Sequence, residues 1–235
     1  MKIAICYPGH LRDFQKCFLN HHTQFISKLE QTGYTVDYFV STWDNVGHRS
    51  NGWTGKSTTD YMIHTLEPKK CLIEKFDRDF FIQKYNTDKW KEYSHLSDYT
   101  TCGDSASMWY KVQTCADMVD EGYDFIVRMR PDLLFDTPFP VELLETMGSS
   151  IYIPKWHGKW IEISNTITDY FAIGRYAVMK RYMSVYNNLD KLINENACPH
   201  TGEGFLYGHL RGYDIKRLDT VGFSIQRKDN IEKII

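Results

Sequence analysis

The sequence predicts an α/β fold in which a mostly parallel central sheet lies between two layers of helices. Short apolar runs alternate with segments whose apolar residues recur every three or four positions, the pattern of strands followed by amphipathic helices. The first such unit is a strand at 2–7, a helix at 11–29 and a strand at 34–41. Strand–helix–strand units form parallel sheets with right-handed crossovers. Since no repeat or low-complexity linker interrupts the 235 residues, we predict a single domain over 1–235.

The elements are predicted in order from their periodicity and punctuation. Pro8 and Gly9 end the first strand, and Gly33 is placed to end the first helix. The next strand closes with Trp43 and Asp44. The later predictions are a loop at 45–56, a helix at 59–66, a strand at 71–76, a polar surface excursion at 86–103, a helix with apolar positions 108, 112, 115 and 119, a strand at 123–135, strands at 149–154 and 169–173, a helix at 175–193, a helix at 204–211, and strands near 213–218 and 223–226.

Composition excludes several classes of function. A net charge of −2 gives no electrostatic reason to expect nucleic acid or an anionic membrane as a partner. No segment reaches the roughly 18 apolar residues that a membrane span requires, and the first residues lack the pattern of a signal peptide. The six cysteines are scattered without a Cys-x-x-Cys pair. We therefore expect reduced thiols and a cytoplasmic protein.

The segment 123–133 is the most informative part of the chain. Its apolar run, 125–127, leads into Arg128, Arg130 and Asp132. This is the pattern of a buried strand that carries charged side chains at its carboxyl end, where open α/β sheets bind ligands. Half-buried charges are costly unless they pair with each other or with a charged ligand. A phosphorylated, metal-linked ligand would satisfy all three, and the alternative is an Arg–Asp pair that closes the strand end without a ligand.

Other strand ends carry polar residues that would lie at the same edge of a parallel sheet. Gly9 allows a ligand to approach the backbone closely, and Arg12 can bind a phosphate through two hydrogen bonds. Asp44 can accept a hydrogen bond from a ribose hydroxyl or a base, and Asp169 follows further along. Together they predict a nucleotide site.

The Gly55-Lys56-Ser57 triplet resembles the end of a phosphate-binding P-loop. Ser50 occupies the position of the first glycine of that motif, so the sequence does not match a P-loop.

Several of these motifs also match a known family. They are the opening residues 3–12, the strand end 39–44, Trp109-Tyr110-Lys111, the segment 123–132, residues 169–174 and the 203–210 helix. The chain resembles nucleotide-sugar glycosyltransferases of the GT-A fold, a Rossmann-like architecture, and most of all the short soluble enzymes of large algal viruses and bacterial polysaccharide loci. The resemblance covers about residues 1–218. It implies a nucleotide-binding half at 1–135 and an acceptor and sugar half at 136–235.

The resemblance also implies an activity and a partner set. The protein would move a sugar from a nucleoside diphosphate sugar, with a UDP-sugar as the first choice, to a hydroxyl of a glycan. It would act in the cytoplasm, that of the host if the chain is viral. The sequence leaves the oligomeric state and the choice between inversion and retention open. The alternatives are a catalytically silent nucleotide- or sugar-binding module of the same fold, and an unrelated phosphate-binding hydrolase or kinase.

The resemblance assigns roles to individual residues. Tyr7, Arg12 and Asp44 would contact the base or ribose, while Lys111 and Arg130 would face the diphosphate. In GT-A enzymes an Asp-x-Asp motif at this strand end holds a divalent cation.

This chain has Arg130-Pro131-Asp132 at that position. Asp132 would ligate Mn²⁺ or Mg²⁺, and Arg130 replaces the first acid. Arg130 could instead neutralise the diphosphate itself. Asp169 and Glu203 are the candidates for the catalytic base that takes the acceptor proton. His209 is either a further metal ligand or a packed histidine.

Overall fold

The computed structural model describes residues 1–45, 58–93, 101–155, 167–227 and 230–234. The strands of these residues are β1 (Lys2–Pro8), β2 (Thr35–Trp43), β3 (Lys70–Glu74), β4 (Phe125–Met129), β5 (Leu133–Phe135), β6 (Ile151–Pro154), β7 (Phe171–Arg175), β8 (Ile215–Leu218), β9 (Phe223–Arg227) and β10 (Asn230–Ile234). The helices are α1 (Phe14–His21), α2 (Ser27–Gln31), α3 (Thr59–Leu66), α4 (Arg78–Lys84), α5 (Cys102–Asp117), α6 (Leu143–Thr146), α7 (Tyr176–Met183), α8 (Leu189–Asn194) and α9 (Gly202–His209). A π-helical turn (His22–Ile26) joins α1 to α2.

Seven strands form the central sheet, in the order β3-β2-β1-β4-β7-β6-β8. Strands β3, β2, β1 and β4 run parallel, and β6 pairs in parallel with β8. Strand β7 runs antiparallel to both β4 and β6. The prediction of an α/β fold with a mostly parallel sheet flanked by helices is therefore confirmed.

The inner strands of the central sheet, β1, β4, β7 and β6, are buried on both faces, which explains why their sequences are mainly apolar. In β1, Ile3, Ile5 and Tyr7 pack into one hydrophobic cluster, and the alternate residues Ala4 and Cys6 pack into the other. Helix α1 contributes to the first cluster, whereas α5, α7 and α9 contribute to the second. The period-two alternation of strand side chains thus separates the two layers of the core.

The structure differs from the predicted elements in several places. The predicted strand 123–135 is two strands, β4 and β5, which belong to different sheets. The predicted helix 175–193 is α7, a 3-10 turn (Val185–Asn188) and α8. Helix α4 and strand β10 were not predicted, and the excursion at 86–103 contains a 3-10 helix (Lys89–Tyr93) and the start of α5. The predicted loop at 45–56 lies outside the described residues from 46 onward.

A second, three-stranded sheet in the order β10-β9-β5 adjoins the turn after β4. The Gln226 N–H donates to the Asp132 carbonyl at 2.9 Å, which extends the β5–β9 pairing to that turn. The Asn20 side chain, from α1, bonds both the N–H and the carbonyl of Phe135. Both links fix the position of the short strand that follows Asp132.

Among the described helices, none combines the length and the apolar character that would let it cross a membrane.

The division into a nucleotide-binding half at 1–135 and an acceptor and sugar half at 136–235 stays a prediction.

Gly204→Ala should destabilise the protein, because helix α9 begins against the Pro199 backbone. A β-carbon at Gly204 would lie 2.2 Å from the Pro199 carbonyl oxygen, a distance that requires the backbone to move. Overpacking of this kind costs typically about 1–3 kcal/mol. Urea unfolding would measure the loss. Gly148→Ala is the matched control, because a β-carbon there meets nothing within 4 Å, and an equal loss in both variants would contradict the prediction.

Candidate functional site

The residues that follow the parallel strands gather at one edge of the central sheet. Strands β1, β2 and β4 end there, and their following residues include Arg12, Asp44 and Asp132. Strand β7 runs in the opposite direction, with Phe171 opposite Met129. Its start therefore lies at the edge where β4 ends. The reversed strand brings Asp169 to the same edge, which the sequence alone did not explain.

Asp132 is the centre of a charged cluster at this edge. Its carboxylate is fully buried and accepts three hydrogen bonds from two arginines. Arg130 donates from Nε to Oδ1 and from Nη2 to Oδ2, each at 2.9 Å, and Arg12 donates from Nη1 to Oδ2 at 3.0 Å. The bidentate pair with Arg130 is the strongest geometry available to a carboxylate and a guanidinium. Asp132 therefore holds two positive charges side by side.

The backbone also holds Arg130 in place, whereas Arg12 has an unusual backbone conformation. The Arg130 N–H donates to the Tyr170 carbonyl at 3.1 Å, and its guanidinium lies 4.9 Å from the centre of the Tyr170 ring. Arg12 has a φ of 49°, in the left-handed region that costs a non-glycine residue about 1–2 kcal/mol. Burial alone would lower the pKa of Arg130, but Asp132 and Asp169 raise it above its ordinary value. The Arg130 guanidinium thus remains charged.

A buried histidine lies beneath this cluster and links three elements. His21 of α1 donates from Nε2 to the Leu133 carbonyl at 2.5 Å, and its Nδ1 accepts from the Tyr7 hydroxyl at 3.1 Å. These roles are those of the neutral imidazole with its proton on Nε2. Burial lowers the pKa of His21 to about 4, against the backbone hydrogen bond and the Asp132 charge, which raise it. His21 connects β1 to the residue directly after Asp132.

The position of Tyr7 corrects its predicted role. Its side chain is fully buried and its hydroxyl is engaged by His21, so it has no surface for a base or ribose. The sequence pattern missed His21, although it stands on the buried stripe of the first helix. Its position on the same side of α1 as the buried Phe14 and Cys17 is the feature of the sequence from which it could have been found.

The stability of the protein should decrease in acid partly through His21. Because the folded state lowers the pKa to about 4 from an ordinary 6.5, this contribution is complete above about pH 6.5 and is lost as the pH falls to about 4. The loss is about 3 kcal/mol for this residue. Denaturant unfolding at pH 7, 5.5 and 4 would measure it. His21→Gln cannot titrate, and an unchanged pH dependence in that variant would contradict the assignment.

A second group of residues lies past the ends of β2 and β3. Trp43 stacks on Tyr110 at a centroid distance of 5.7 Å, and the Lys111 ammonium lies 4.1 Å from the centre of the Trp43 ring. His10 packs edge-on against Phe76 at 4.8 Å. Trp43 is buried, whereas His10 and Phe76 are half-buried, so these two rings are the ones that a ligand beside the loop carrying Arg12 could contact.

Two predicted site residues belong to this second group. Lys111 is fully buried and donates to Glu74 at 2.6 Å, so the structure places it with Glu74 rather than with Arg130. Its pKa is lowered by burial, and the Glu74 carboxylate opposes that effect. The exposed Asp44 accepts from the Phe76 N–H at 3.0 Å. Gly9, with a φ of 98°, has nothing within 4 Å of where a β-carbon would be, and its N–H donates to the Ser41 carbonyl at 2.8 Å. The close approach of a ligand to this residue stays a prediction.

The donor set around Asp132 does not suit the predicted Mn²⁺ or Mg²⁺. Both Asp132 oxygens accept from guanidiniums, and a divalent cation bound there would lie directly against two positive charges. Among the described residues, no three His, Cys, Asp or Glu side chains form a group that could hold a metal. His209 bonds Ser184, Asn188 and the Arg181 carbonyl through its ring nitrogens, so it is a packed histidine.

The two candidate bases lie on neighbouring segments. Asp169 is buried, and one of its oxygens would be 3.5 Å from a β-carbon placed on Gly202, the first residue of α9. Glu203 follows in the first turn of that helix and is partly exposed. The start of α9 is anchored by the Trp109 indole N–H, which donates to the Gly202 carbonyl at 3.1 Å. Asp169 is thus adjacent to the segment that carries Glu203.

Comparison with protein-family models found no match for this chain, and comparison with curated proteins found none either. The function must therefore be argued from the charged cluster, the aromatic group and the two carboxylates themselves.

Proposed function

We propose that the protein is a glycosyltransferase of the GT-A type, which moves a sugar from a nucleoside diphosphate sugar to a hydroxyl of a glycan. The observation that carries the proposal is the pair of guanidiniums that Asp132 holds at the carboxyl edge of a parallel sheet. Two guanidiniums and one carboxylate have a net positive charge, which attracts the negative charge of a diphosphate. The sheet order β3-β2-β1-β4 and the resemblance in sequence support the same assignment.

Each group of residues would have one task in the reaction. Asp44, His10 and Phe76 would bind the nucleoside, with UDP as the first candidate. Arg12 and Arg130 would bind the diphosphate and stabilise the negative charge that develops as the bond from the anomeric carbon to the diphosphate oxygen breaks. Asp132 would position both arginines. This division needs no metal ion at Asp132.

The acceptor hydroxyl needs a base if the transfer inverts configuration. Its oxygen would form the new bond to the anomeric carbon, UDP would leave with the electron pair of the broken bond, and the proton would pass to a carboxylate. Asp169 and Glu203 both lie at this end of the molecule. Glu203 is the more accessible of the two, because Asp169 is buried.

Calorimetric titration with UDP, followed by an assay of UDP release from a panel of UDP-sugars, tests the proposal. We expect binding in the micromolar to millimolar range and slow donor hydrolysis without an acceptor, and both should persist in EDTA. No detectable binding at millimolar UDP would contradict the nucleotide site.

One observation favours a second candidate, a nucleotide-binding module without turnover. Asp132 is fully engaged by the two arginines, so it offers no carboxylate for a catalytic metal. Binding of UDP together with a complete absence of hydrolysis from every UDP-sugar of the panel would favour the module over the enzyme.

A further inference from the structure

Strand β3 lies at one edge of the central sheet, and its side chains are exposed there. It stands last in the strand order, so no other strand of the described residues pairs with its outer side. Cys71 is exposed and Ile73 is 41% exposed, although both lie in the middle of the strand. An open strand edge is a template on which a strand of another chain can pair.

The backbone of β3 directs hydrogen-bonding groups to that outer side. The Asp44 N–H donates to the Glu74 carbonyl at 2.8 Å, so the backbone groups of Glu74 point toward β2. Because the backbone groups of successive strand residues point to opposite sides, those of Leu72 also point toward β2. Those of Cys71 and Ile73 point outward. Within the described part of the chain, no strand takes up these outward groups.

The sequence of β3, Lys70–Glu74, is complementary to its own reverse. A second copy of β3 can pair with it antiparallel, with Leu72 opposite Leu72. Cys71 then lies opposite Ile73, and their outward backbone groups meet as a hydrogen-bonded antiparallel pair requires. Lys70 then lies opposite Glu74. Each apolar side chain thus has an apolar partner, and each charge has an opposite charge across the edge.

The neighbouring registers lack this complementarity. If the pairing is centred on Cys71, Lys70 lies opposite Leu72. If it is centred on Ile73, Glu74 lies opposite Leu72. The register centred on Leu72 is therefore the one in which both charges are paired, and charge complementarity selects a second copy of this chain as the partner.

The two charged side chains are accessible to a second copy. The Lys70 side chain is 42% exposed and bonds Asp120, which is 66% exposed, at 2.7 Å. An ammonium has three donors, so Lys70 can bond a further carboxylate. The Glu74 side chain is 33% exposed and accepts from Lys111 and Tyr110. Since a carboxylate has about four lone-pair sites, Glu74 can accept another hydrogen bond without losing either partner.

We propose that β3 pairs antiparallel with β3 of a second copy of this chain, around a two-fold axis at Leu72, so that two central sheets become one continuous sheet. A contact in which the same surface meets itself closes at the dimer. A lysine in an edge strand usually discourages pairing, but here each Lys70 faces a Glu74. The inference is independent of the proposed function, because it depends on the strand edge alone.

Lys70→Glu tests the charge pairing, because it places like charges opposite each other at both ends of the paired strands. Analytical ultracentrifugation of the wild type over a concentration series should show a monomer–dimer equilibrium. In Lys70→Glu the dissociation constant should rise about tenfold or more. Lys191→Glu is the matched control, since it reverses another exposed lysine of an ion pair, on α8, and should leave the dissociation constant unchanged. Circular dichroism would establish that both variants are folded.

Cys71 gives a second test that needs no variant. In the proposed register the two Cys71 side chains are diagonal neighbours on one face of the sheet, about 7–8 Å apart, which bis(maleimido)ethane can span. All the other cysteines are buried. The reagent should therefore link two wild-type chains covalently, as seen on a denaturing gel. Cys71→Ser should abolish the linked species, and Lys70→Glu should reduce it.

A wild type that stays monomeric at every concentration overturns the proposal. A dimer whose dissociation constant Lys70→Glu leaves unchanged overturns it as well, because such a dimer uses another surface. The same holds for a wild-type dimer that the reagent does not link through Cys71. If Lys70→Glu does not fold, the presence or absence of the Cys71 link in the wild type decides.

Discussion

Asp132→Ala should lower the free energy of unfolding by about 3–5 kcal/mol, the cost of removing one partner from a buried ion pair. The carboxylate accepts three hydrogen bonds from Arg12 and Arg130, and its loss leaves two guanidiniums facing each other in a buried space. Donor hydrolysis should be abolished as well, because neither arginine would keep its position. Guanidinium chloride unfolding and UDP release from a UDP-sugar would measure the two effects.

Two further variants separate the role of the charge from the general cost of losing an aspartate. Asp132→Asn keeps the shape of the side chain and should lose less stability than the alanine variant while losing donor hydrolysis. Asp37→Ala removes a partly exposed ion-pair partner of Lys69 from the opposite edge of the sheet and should cost less than about 1 kcal/mol. A loss in Asp132→Ala no larger than that in Asp37→Ala would mean that the arginines do not depend on Asp132.

Arg130→Ala should reduce the rate of donor hydrolysis by about 10²–10³-fold, the effect of removing one donor that stabilises a developing negative charge. Arg130→Lys should recover little of this, since an ammonium cannot reproduce the bidentate contact with Asp132. Steady-state assays in EDTA and in Mn²⁺ would measure both variants. We expect equal rates with and without the metal in the wild type.

Arg175→Ala is the matched control for Arg130. Arg175 lies opposite Phe125, at the other end of the β4–β7 pair, and bonds the Met147 carbonyl. Its loss should leave donor hydrolysis unchanged. Hydrolysis that requires Mn²⁺ and tolerates Arg130→Ala would show that a cation, rather than the arginine, neutralises the leaving group.

The alternation of apolar runs and helical stripes was sufficient to predict the fold class, because the buried parallel strands β1 and β4 each contain an apolar run, Ile3 to Cys6 in β1 and Phe125 to Val127 in β4. The division of 123–135 was not predictable from that pattern. Leu133 and Phe135 continue the apolar signal after Pro131, and only the pairing partners show that they belong to a second sheet. The reversed direction of β7 likewise depends on tertiary pairing.

The candidate site was predictable in outline and not in its details. Charged residues after a buried strand indicate a site, and Arg12, Arg130 and Asp132 do converge. A strand-end tyrosine, however, can equally face a ligand or the core, and periodicity does not decide between them for Tyr7. Lys111 was predicted to face a diphosphate, but no sequence pattern shows that Glu74 from β3 lies within reach of it.

The hydrogen bond from the Gln226 N–H to the Asp132 carbonyl has a consequence for how the molecule matures. During synthesis, β1, β2 and β4 leave the ribosome well before β9 exists, so the early strands can pair first while the segment around Asp132 still lacks its last tether. The arrangement of Asp132 with Arg12 and Arg130 should consequently reach its final form late in folding. In ribosome-bound chains that end before β9 (Phe223–Arg227), limited proteolysis should spare β1 while it still cleaves the segment around Asp132.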